Sequence, residues 1–540
     1  MRGLAIGLCV GLAGLAAAWG QQASGNRQAC EELAKLALPH TRIVQAAEVE
    51  AGKLAPPDDS KNPIFGQLPA FCRVVAEAHP SSDSQIKIEV WLPVSGWNGR
   101  FLGQGNGGFA GSIYYRDLAS AVQHGYASAG TDTGHTGSTT EAAWALGHPE
   151  KVIDFGYRGV HEMTLTGQAI TKAFYGRAPG HRYFSSCSDG GREALMEAQR
   201  FPADYDGILA GAPAYNWTHL VASGIHSIQA LQGKPASRIP ASKLPAIHDA
   251  VLAQCGKGGS DGFLVDPRQC HFDPGALLCK GAESGSCLTG AQVTALKALY
   301  AGARTKDGKL VDYGLLPGAE LGRNGWEAWV TGSDSSTSLG SQFLTGYFAD
   351  LVYGRKDLDV QKLNLDAALK AAESKTGSVL DAVNPDLSAF SARGGKLILY
   401  HGWNDPAIPA EGTVDYFNSV VATAGEQKAA EFTRLYMVPG MQHCGGGPGP
   451  ASFGQRGPAD LSQANDLEHN IYLALQAWVE TGAAPGTLIA EHIERAENGA
   501  EDEKPVVTLT RPLCPYPQEA GYAGKGDREK AASYVCAASK

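Results

Sequence analysis

Positive charge is scarce in this sequence, and it is not clustered. The 540 residues include 45 lysines and arginines against 55 aspartates and glutamates, which gives a net charge of −10. No run of basic residues could neutralise a row of phosphates, so nucleic acid is not an expected partner. Internal repeats are also missing. The content of 43% hydrophobic and 19% charged residues predicts a globular chain with a large core.

Long apolar runs are missing too, apart from one near the start of the sequence. Residues 4–18 are apolar and follow Met1 and Arg2, and small residues occupy the −3 and −1 positions of a cleavage before Gln21. This pattern predicts a signal peptide over residues 1–20 and a secreted or periplasmic protein. A membrane anchor is the alternative, but the run is shorter than the ~20 residues that span a bilayer. We therefore expect no membrane contact after cleavage.

Cleavage would remove Cys9 and leave an even number of cysteines. In an exported chain, an even number predicts disulfide bonds. A CxxC motif is missing and the spacings do not match a zinc pattern, so a zinc site or buried free thiols are less favoured. The remaining cysteines are Cys30, Cys72, Cys187, Cys255, Cys270, Cys279, Cys287, Cys444, Cys514 and Cys536.

Apolar, β-rich segments alternate with segments of helical period in two parts of the chain. The predicted strands are residues 86–92, 100–103, 126–130, 182–186, 207–210, 396–400 and 432–438. The predicted helices are residues 160–175, 192–200, 414–422 and 467–479. This alternation predicts an α/β fold with a mainly parallel sheet that is covered on both faces.

The pattern changes between these two parts. From about residue 215 to residue 389 the sequence has Gly- and Ser-rich stretches, four cysteines and little β signal. This segment is much longer than an ordinary connection between consecutive strands. We therefore expect an inserted domain over residues 215–389, within a catalytic domain formed by residues 21–214 and 390–540.

A candidate nucleophile lies in residues 185–191, which read Ser-Ser-Cys-Ser-Asp-Gly-Gly between a predicted strand and a predicted helix. A tight strand-to-helix turn of this kind holds a serine in a strained conformation with its hydroxyl exposed, as in the nucleophile elbow of α/β-hydrolases. The turn needs small residues two positions before and after the serine. Ser186 and Gly190 meet this need, although Ser186 stands where glycine is usual. Ser188 is the predicted nucleophile.

A serine nucleophile needs a base, and the base needs an acid that fixes its tautomer. The chain order in this fold is Ser, then Asp or Glu, then His, with the last two on loops after late strands. Asp405 and His443 follow two late predicted strands in this order and are the predicted acid and base. His401, Asp381 and Asp386 are alternatives. His401 lies too near its strand end, and the two aspartates precede that strand.

The oxyanion of the tetrahedral intermediate needs preorganised N–H donors. One is expected from Asp189, the residue after the nucleophile. The other is expected from the glycine-rich turn in residues 101–108, where Gly107 and Gly108 are equal candidates. The turn does not suit a phosphate, because it lacks a lysine and a following helix.

Two cysteines flank the candidate catalytic residues. Cys187 immediately precedes Ser188, and Cys444 immediately follows His443. Because the serine and the histidine must come within hydrogen-bond reach, their neighbours are brought close as well. A bridge needs Cα atoms only about 4.4–6.8 Å apart, so a disulfide between these cysteines is expected.

These residues together resemble the tannase and feruloyl esterase family, which also contains the hydrolase of mono(2-hydroxyethyl) terephthalate. The resemblance covers roughly residues 30–536. It is carried by residues 105–109, 131–135, 187–192, 211–214, 401–406 and 439–446. It implies an α/β-hydrolase core with a large lid inserted before the acid, and hydrolysis of esters of aromatic carboxylic acids. No metal or organic cofactor is expected in the chemistry.

The resemblance also implies disulfide pairs and a place for the substrate ring. The implied pairs are Cys30–Cys72, Cys187–Cys444, Cys255–Cys270, Cys279–Cys287 and Cys514–Cys536. The inserted domain would hold the ring of the acyl group. Candidate walls are Trp326, Trp329, Phe343, Tyr347 and Phe348. At this spacing, aromatic side chains more often form the core of a lid.

A structural calcium site is a further feature that the resemblance implies for the lid. The family loop carries three aspartates, whereas the shorter loop in residues 255–263 keeps only Asp261 and adds Lys257. Calcium takes about 6–8 oxygen ligands with several anionic ones among them. We therefore expect a site that is weakened or absent. Asp266 could substitute as a ligand, but we expect it to cap the turn before Pro267.

The expected function is that of a secreted serine esterase for small phenolic acid esters, such as feruloyl or galloyl esters. A terephthalate half-ester hydrolase of the same family is an alternative, and a lipase, a peptidase or a non-catalytic hydrolase-fold binding protein are others. Residues 324–354 contain no arginine or lysine, so neutral acyl groups are expected to be preferred. The sequence gives no indication of the oligomeric state.

Overall fold

The computed structural model describes residues 27–58, 60–256, 261–333, 337–457, 466–494 and 506–538, and the predicted signal peptide lies outside them. The strands are β1 (Thr41–Val49), β2 (Phe71–Ala78), β3 (Ile86–Pro93), β4 (Arg100–Gln104), β5 (Ala127–Thr131), β6 (His181–Cys187), β7 (Gly207–Gly211), β8 (Ala303–Arg304), β9 (Leu310–Asp312), β10 (Lys396–Gly402), β11 (Thr433–Val438), β12 (Leu488–Glu494), β13 (Val506–Leu513), β14 (Gln518–Tyr522) and β15 (Tyr534–Ala538).

The helices are numbered in the same way. They are α1 (Tyr115–Gln123), α2 (Pro149–Ile153), α3 (Gly159–Tyr175), α4 (Asp189–Arg200), α5 (Trp217–Gln232), α6 (Leu244–Cys255), α7 (Gly290–Ala301), α8 (Leu339–Gly346), α9 (Leu365–Ala372), α10 (Ser378–Leu380), α11 (Ser388–Ala392), α12 (Ala410–Ala424), α13 (Glu426–Phe432) and α14 (Ile471–Thr481). Turns of π-helix occupy Asp154–Arg158, Glu327–Thr331, Tyr347–Val352 and Glu373–Gly377. No helix of the described ranges is long and apolar enough to cross a membrane.

The main sheet has nine strands in the order β1-β2-β3-β5-β4-β6-β7-β10-β11. Strands β1, β2 and β3 pair antiparallel with one another, and β3 pairs antiparallel with β5. From β5 to β11 all neighbours are parallel. The prediction of a mainly parallel sheet is therefore confirmed. Strands β1, β2, β8, β9 and those after β11 are not among the predicted strands.

The core lies on both faces of this sheet, as the alternation of side chains along a strand requires. On β10, Leu397 and Leu399 join the core cluster that includes buried residues of α3, α4 and α12. Ile398 and Tyr400 join the opposite cluster, which includes buried residues of α14. Ser188 therefore follows a strand of a sheet that is packed against core residues on both faces.

Residues 215–389 lie between β7 and β10, and their described part adds no strand to the main sheet. The segment has an apolar core of its own, which includes Ile247, Leu296 and Trp326. Another cluster joins its helix α5 to Phe109 and Phe155 of the preceding part of the chain. The predicted start at residue 215 falls between β7 and α5, whereas the predicted end at residue 389 falls inside α11.

The ten cysteines that remain after residue 20 form disulfides in the pairs that the resemblance implies. The pairs are Cys30–Cys72, Cys187–Cys444, Cys255–Cys270, Cys279–Cys287 and Cys514–Cys536. Two of them lie within the inserted segment, and Cys187–Cys444 joins the end of β6 to the loop after β11.

Candidate active site

Ser188 lies in the turn between β6 and α4. Its backbone is strained, with φ of 69° and ψ of −124°, a region that non-glycine residues rarely adopt. A Cβ atom on Gly190 would lie 1.8 Å from the Ser186 hydroxyl oxygen, and one on Gly191 would lie 2.2 Å from the Gly211 carbonyl oxygen. The small residues of the turn thus let α4 begin directly beneath the serine, as the sequence predicts.

The three predicted catalytic residues come together at the carboxyl ends of the parallel strands. Ser188 Oγ is 2.9 Å from His443 Nε2, and His443 Nδ1 is 2.8 Å from Asp405 Oδ2. Asp405 and His443 are both buried. Because β10 and β11 are adjacent parallel strands, their following loops reach the same edge of the sheet and meet there. The geometry is that of a serine, a base and an orienting acid.

The Asp405 carboxylate is held by four hydrogen bonds. Its Oδ1 accepts hydrogen bonds from the backbone N–H groups of Ala407 and Ile408. Its Oδ2 accepts hydrogen bonds from the rings of His443 and His401. Burial by itself would raise the pKa of Asp405. The charge of His443 and the hydrogen bonds from both histidines outweigh burial and hold the pKa below its usual value. Asp405 therefore stays ionised beneath His443.

The alternatives that the sequence analysis set aside lie elsewhere. His401 is not beside Ser188 but on the far side of Asp405. Asp381 caps α5 by accepting hydrogen bonds from the Thr218 backbone and hydroxyl. Asp386 is exposed and accepts from the Ser388 backbone.

The structure distinguishes between the candidate oxyanion donors by the spaces that they line. Gly108 and Asp189 line the cavity beside Ser188, whereas Gly107 is not among the residues that line it. Gly108 has a φ of +63°, and a Cβ atom on it would lie 2.3 Å from the Thr139 carbonyl oxygen, so only glycine fits. Gly108 lines both this cavity and an adjoining cleft, whereas Gly107 lines the cleft and not the cavity. Gly108 and Asp189 are thus the two candidate donors that border the cavity.

The oxyanion loop is anchored by Asn106, which the sequence analysis did not single out. The Asn106 side chain donates to the carbonyls of Ser112 and Thr131. Its backbone N–H donates to Glu193 Oε2 over 2.8 Å, and its carbonyl accepts from Gly190. Burial and the charge of Asp189 raise the pKa of Glu193 to about 8. The loop that carries Gly108 is thereby attached to α4, the helix that begins at Asp189.

The Asp189 side chain is neutralised beneath the oxyanion site. Its carboxylate pairs with Arg192 at 2.7 Å, and both side chains are fully buried. Arg192 also donates to the carbonyls of Phe155 and Gly156 and lies over the Trp217 ring. Burial raises the pKa of Asp189, and Arg192 opposes this rise. Without Arg192, an uncompensated carboxylate would lie next to a developing oxyanion and oppose it.

An apolar cavity of about 180 Å³ opens beside Ser188. A cavity of about 150 Å³ holds benzene, so this one accommodates a substituted aromatic ring. Its lining includes one face of α5, namely Trp217, Leu220, Val221, Gly224 and Ile228. Helix α5 is not among the predicted helices, although the spacing of these residues is that of an apolar helical face.

Two of the five candidate wall aromatics reach this cavity. Trp329 lies edge-on to His443 with 4.8 Å between ring centroids, and it stacks with Phe343. The structure does not bring Trp326, Tyr347 and Phe348 to the cavity. All three are fully buried: Trp326 lies in the core of the inserted segment, and the other two lie in the cluster around α5.

A larger and more polar cleft of about 980 Å³ meets the cavity at Ser188 and His443. Its lining includes Arg116, Asp117, Arg323 and Arg456, and also Gln104. Burial raises the pKa of Asp117 to about 6, against the charge of Arg116. The two spaces that meet at Ser188 thus differ in polarity.

The described part of the predicted calcium loop does not fit the ion. Asp261 accepts a hydrogen bond of 2.8 Å from the Arg511 guanidinium. Asp266 accepts from the Arg268 backbone and guanidinium, which is the capping role expected for it. Both carboxylates thus already have cationic partners, and Lys257 lies outside the described residues. No step of the chemistry is assigned to a metal.

Most of the chain is similar to known proteins. Residues 72–537 match the model of the family described as tannase and feruloyl esterase. The chain is 43% identical to an uncharacterised esterase of Xanthomonas campestris, over 94% of this chain and 91% of that protein.

The chain belongs to the tannase and feruloyl esterase family. It is 33% identical to the mono(2-hydroxyethyl) terephthalate hydrolase of Piscinibacter sakaiensis, over 95% of this chain and 92% of that protein. The crystal structure of feruloyl esterase B from Aspergillus oryzae superposes with a TM-score of 0.85 at 30% identity, covering 95% of this chain and all of that one. Membership confirms the predicted α/β-hydrolase fold. The protein is a carboxylic ester hydrolase that acts on esters of aromatic acids.

Proposed function

We propose that this family member is a secreted serine esterase that releases phenolic acids, such as ferulic or gallic acid, through an acyl-enzyme on Ser188. The observation that carries the proposal is the chain of hydrogen bonds from Ser188 through His443 to Asp405, with distances of 2.9 Å and 2.8 Å, beside an apolar cavity for one ring.

Acylation begins when Ser188 Oγ attacks the ester carbonyl carbon. His443 Nε2 takes the hydroxyl proton, and ionised Asp405 stabilises the imidazolium that forms. The carbonyl oxygen becomes an oxyanion and accepts hydrogen bonds from the N–H groups of Gly108 and Asp189. When the carbon–oxygen bond to the alcohol breaks, His443 returns the proton to the departing alkoxide.

Deacylation repeats these steps with water. His443 takes a proton from a water molecule as its oxygen attacks the acyl carbon, and the same donors hold the second oxyanion. The bond to Ser188 Oγ then breaks, His443 returns the proton to the serine, and the aromatic acid leaves. The cycle uses side chains and backbone N–H groups of the chain itself, together with water.

We assign the acyl ring to the apolar cavity and the alcohol to the polar cleft. Trp329 and Phe343 would contact the ring, since they border both the cavity and the triad. In the described residues, the cavity lining contains no lysine or arginine. A free carboxylate on the ring is best bound by two parallel N–H groups of an arginine guanidinium. This favours neutral phenolic acyl groups over the terephthalate half-ester that names one relative.

The inserted segment and the export of the protein belong to the same proposal. Residues 215–389 act as the lid of the catalytic domain, because α5 and Trp329 form walls of the cavity. Disulfides persist in oxidising compartments, and five of them lie in the described chain. N-terminal sequencing of the exported protein tests the cleavage, with Gln21 expected as the first residue.

The experiment that tests the catalytic proposal compares the wild-type protein with Ser188→Ala on a panel of methyl ferulate, methyl gallate, simple benzoates and terephthalate half-esters. Turnover should fall by several orders of magnitude in the variant, because the nucleophile is lost. Mass spectrometry of the wild-type protein should show an acyl adduct on the Ser188 peptide. Equal turnover, or an adduct in the variant, contradicts the mechanism.

A second readout separates an enzyme from a non-catalytic binding protein of the same fold. An organophosphonate should label Ser188 of the wild-type protein once and leave Ser188→Ala unlabelled. Binding of the esters without labelling or turnover would favour the binding protein.

A further inference from the structure

His401 is a second histidine on the catalytic acid. It lies near the end of β10 with no exposed surface and lines neither the cavity nor the cleft. Its Nε2 is 3.2 Å from Asp405 Oδ2 and 3.1 Å from the Ile408 carbonyl oxygen. Its Nδ1 is 2.7 Å from the Thr413 hydroxyl. The ring thus spans from α12 to the triad.

These contacts fix the position of the proton on His401. A carbonyl oxygen only accepts hydrogen bonds, so the Nε2 between Ile408 and Asp405 carries a hydrogen. The Thr413 hydroxyl can then donate to an unprotonated Nδ1. The His401 N–H is therefore shared between the Ile408 carbonyl oxygen at 3.1 Å and Asp405 Oδ2 at 3.2 Å, and the same Oδ2 accepts from His443 Nδ1 at 2.8 Å.

We propose that His401 is a positioning residue of the triad: by donating to Asp405 Oδ2 it fixes the carboxylate and limits how strongly this oxygen attracts the proton of His443. This inference rests on the proposed role of Asp405 and His443 in ester hydrolysis. It assigns His401 no contact with substrate and no proton transfer.

The physical basis is competition for one oxygen. Two N–H donors share Oδ2, so each bond is weaker than it would be alone. Without His401, Asp405 would interact with His443 by itself and stabilise the imidazolium more strongly. His443 would then hold its proton up to a higher pH and fail as a base over a wider range. The carboxylate would also lose one of four bonds that fix its orientation.

Other charged groups on the neighbouring elements have partners of their own. On α12, Asp415 accepts from the Tyr313 hydroxyl, and Glu411 lies near Arg268.

Arg268, which lies over the Trp403 ring, pairs with Asp266. Asp189 on α4 pairs with Arg192. Within the described chain, His401 and His443 are the charged or titratable groups that hydrogen-bond to Asp405.

The test uses two amides that differ by one methylene group. His401→Gln places an amide nitrogen where Nε2 lies and can still donate to Asp405. His401→Asn reaches only the Nδ1 position, so it keeps a contact with Thr413 and loses the one with Asp405. The kcat, the KM and the pH profile of kcat/KM are measured on whichever ester the wild-type protein cleaves, with the melting temperature as a control for folding.

We expect His401→Asn to lower kcat about tenfold to hundredfold with little change in KM, since a lost orienting partner typically costs this much. The acid limb of its pH profile should move to higher pH. In His401→Gln, the acid limb should return to its wild-type pH, and most of kcat should be recovered. A wild-type profile for His401→Asn, or equal losses in both variants, overturns the inference, because either result leaves the Asp405 contact without effect.

Thr413→Val provides a second variant that does not touch Asp405. It removes the hydroxyl that holds Nδ1, so any change in the triad must pass through His401. We expect a smaller shift of the acid limb in the same direction, and an unmoved limb in this variant counts against the inference even if His401→Asn fails to fold. Because Ser188→Ala tests the nucleophile separately, the proposed function can hold while the role of His401 fails.

Discussion

Cys187 and Cys444 form a disulfide, with Cα atoms 6.0 Å apart, that ties the residue before the nucleophile to the residue after the base. The bridge connects two loops that are separated by 257 residues in the sequence. It lies where a small displacement changes the distance between Ser188 and His443. Its contribution should therefore be seen in activity more than in global structure.

The Cys187→Ala/Cys444→Ala double variant should remain folded and lose activity. A displacement of about 1 Å between base and nucleophile can cost about a hundredfold in rate. The matched control is Cys279→Ala/Cys287→Ala, which removes a bridge in the inserted segment and should keep its kcat. Circular dichroism measures the fold of both variants, and steady-state kinetics measure their activity. A folded Cys187→Ala/Cys444→Ala variant with wild-type activity contradicts this prediction.

The buried carboxyl of Glu193 should make stability depend on pH. Its pKa is about 8 in the fold, against an ordinary value of 4.5, because of burial and the nearby charge of Asp189. The folded state therefore binds more protons than the unfolded state between these values. The stabilising contribution of the neutral carboxyl is complete below about pH 4.5 and is lost as the pH rises through about 8.

Glu193→Gln tests this dependence, since the amide oxygen can still accept from the Asn106 N–H without titrating. The melting temperature of the variant should vary less than that of the wild-type protein between about pH 5 and pH 8. Denaturation curves at several pH values provide the measurement. Parallel curves for the two proteins would show that Glu193 does not titrate in this range.

The charge of the acyl group should govern substrate choice. The described lining of the apolar cavity contains no lysine or arginine, so a ring carboxylate would lose its hydration without gaining a partner. Methyl ferulate and methyl gallate should therefore show a higher kcat/KM than mono(2-hydroxyethyl) terephthalate. The matched control is the neutral methyl ester of that half-ester. A higher kcat/KM for the charged half-ester would place a cation within reach of the ring.

The sequence was sufficient for the parts of the site that depend on chain order and strand ends. Ser188, Asp405 and His443 follow three parallel strands, so their convergence follows from the sheet itself. His401 was set aside because it lies too near the end of its strand, and the sequence does not show the direction of its ring. That direction depends on Thr413 and Ile408, which become neighbours only in the fold.

The aromatic residues of the inserted segment show a different limit. Trp326 and Trp329 would share a face in an α-helix, since side chains three residues apart are neighbours there. The chain instead forms a π turn over Glu327–Thr331, which changes this spacing. Trp326 consequently lies in the core and Trp329 lies against His443. A pattern that assumes 3.6 residues per turn cannot separate them.

The Asp261–Arg511 contact predicts how the protein responds to calcium and to chelators. The Arg511 side chain is 3% exposed and the Asp261 side chain is 17% exposed, so the pair is largely shielded from water. A guanidinium thus occupies the position next to Asp261 where a cation would otherwise bind, and the Cys255–Cys270 bridge closes the short loop. Such a bridge contributes about 2–3 kcal/mol in the chain-entropy account. Neither EGTA nor added calcium should change the melting temperature or the activity.

Asp261→Asn and Arg511→Lys show whether the ion pair takes the place of a metal. Removing one partner of a buried pair leaves the other charge uncompensated and costs up to about 3–5 kcal/mol, less for a partly exposed pair. Asp261→Asn should therefore lower the melting temperature in the presence and absence of calcium alike, while Arg511→Lys keeps the charge and loses less. A marked drop in melting temperature when EGTA is added to the wild-type protein would instead mean that other oxygen ligands bind calcium. In that case the arginine would be a neighbour of the ion rather than its replacement.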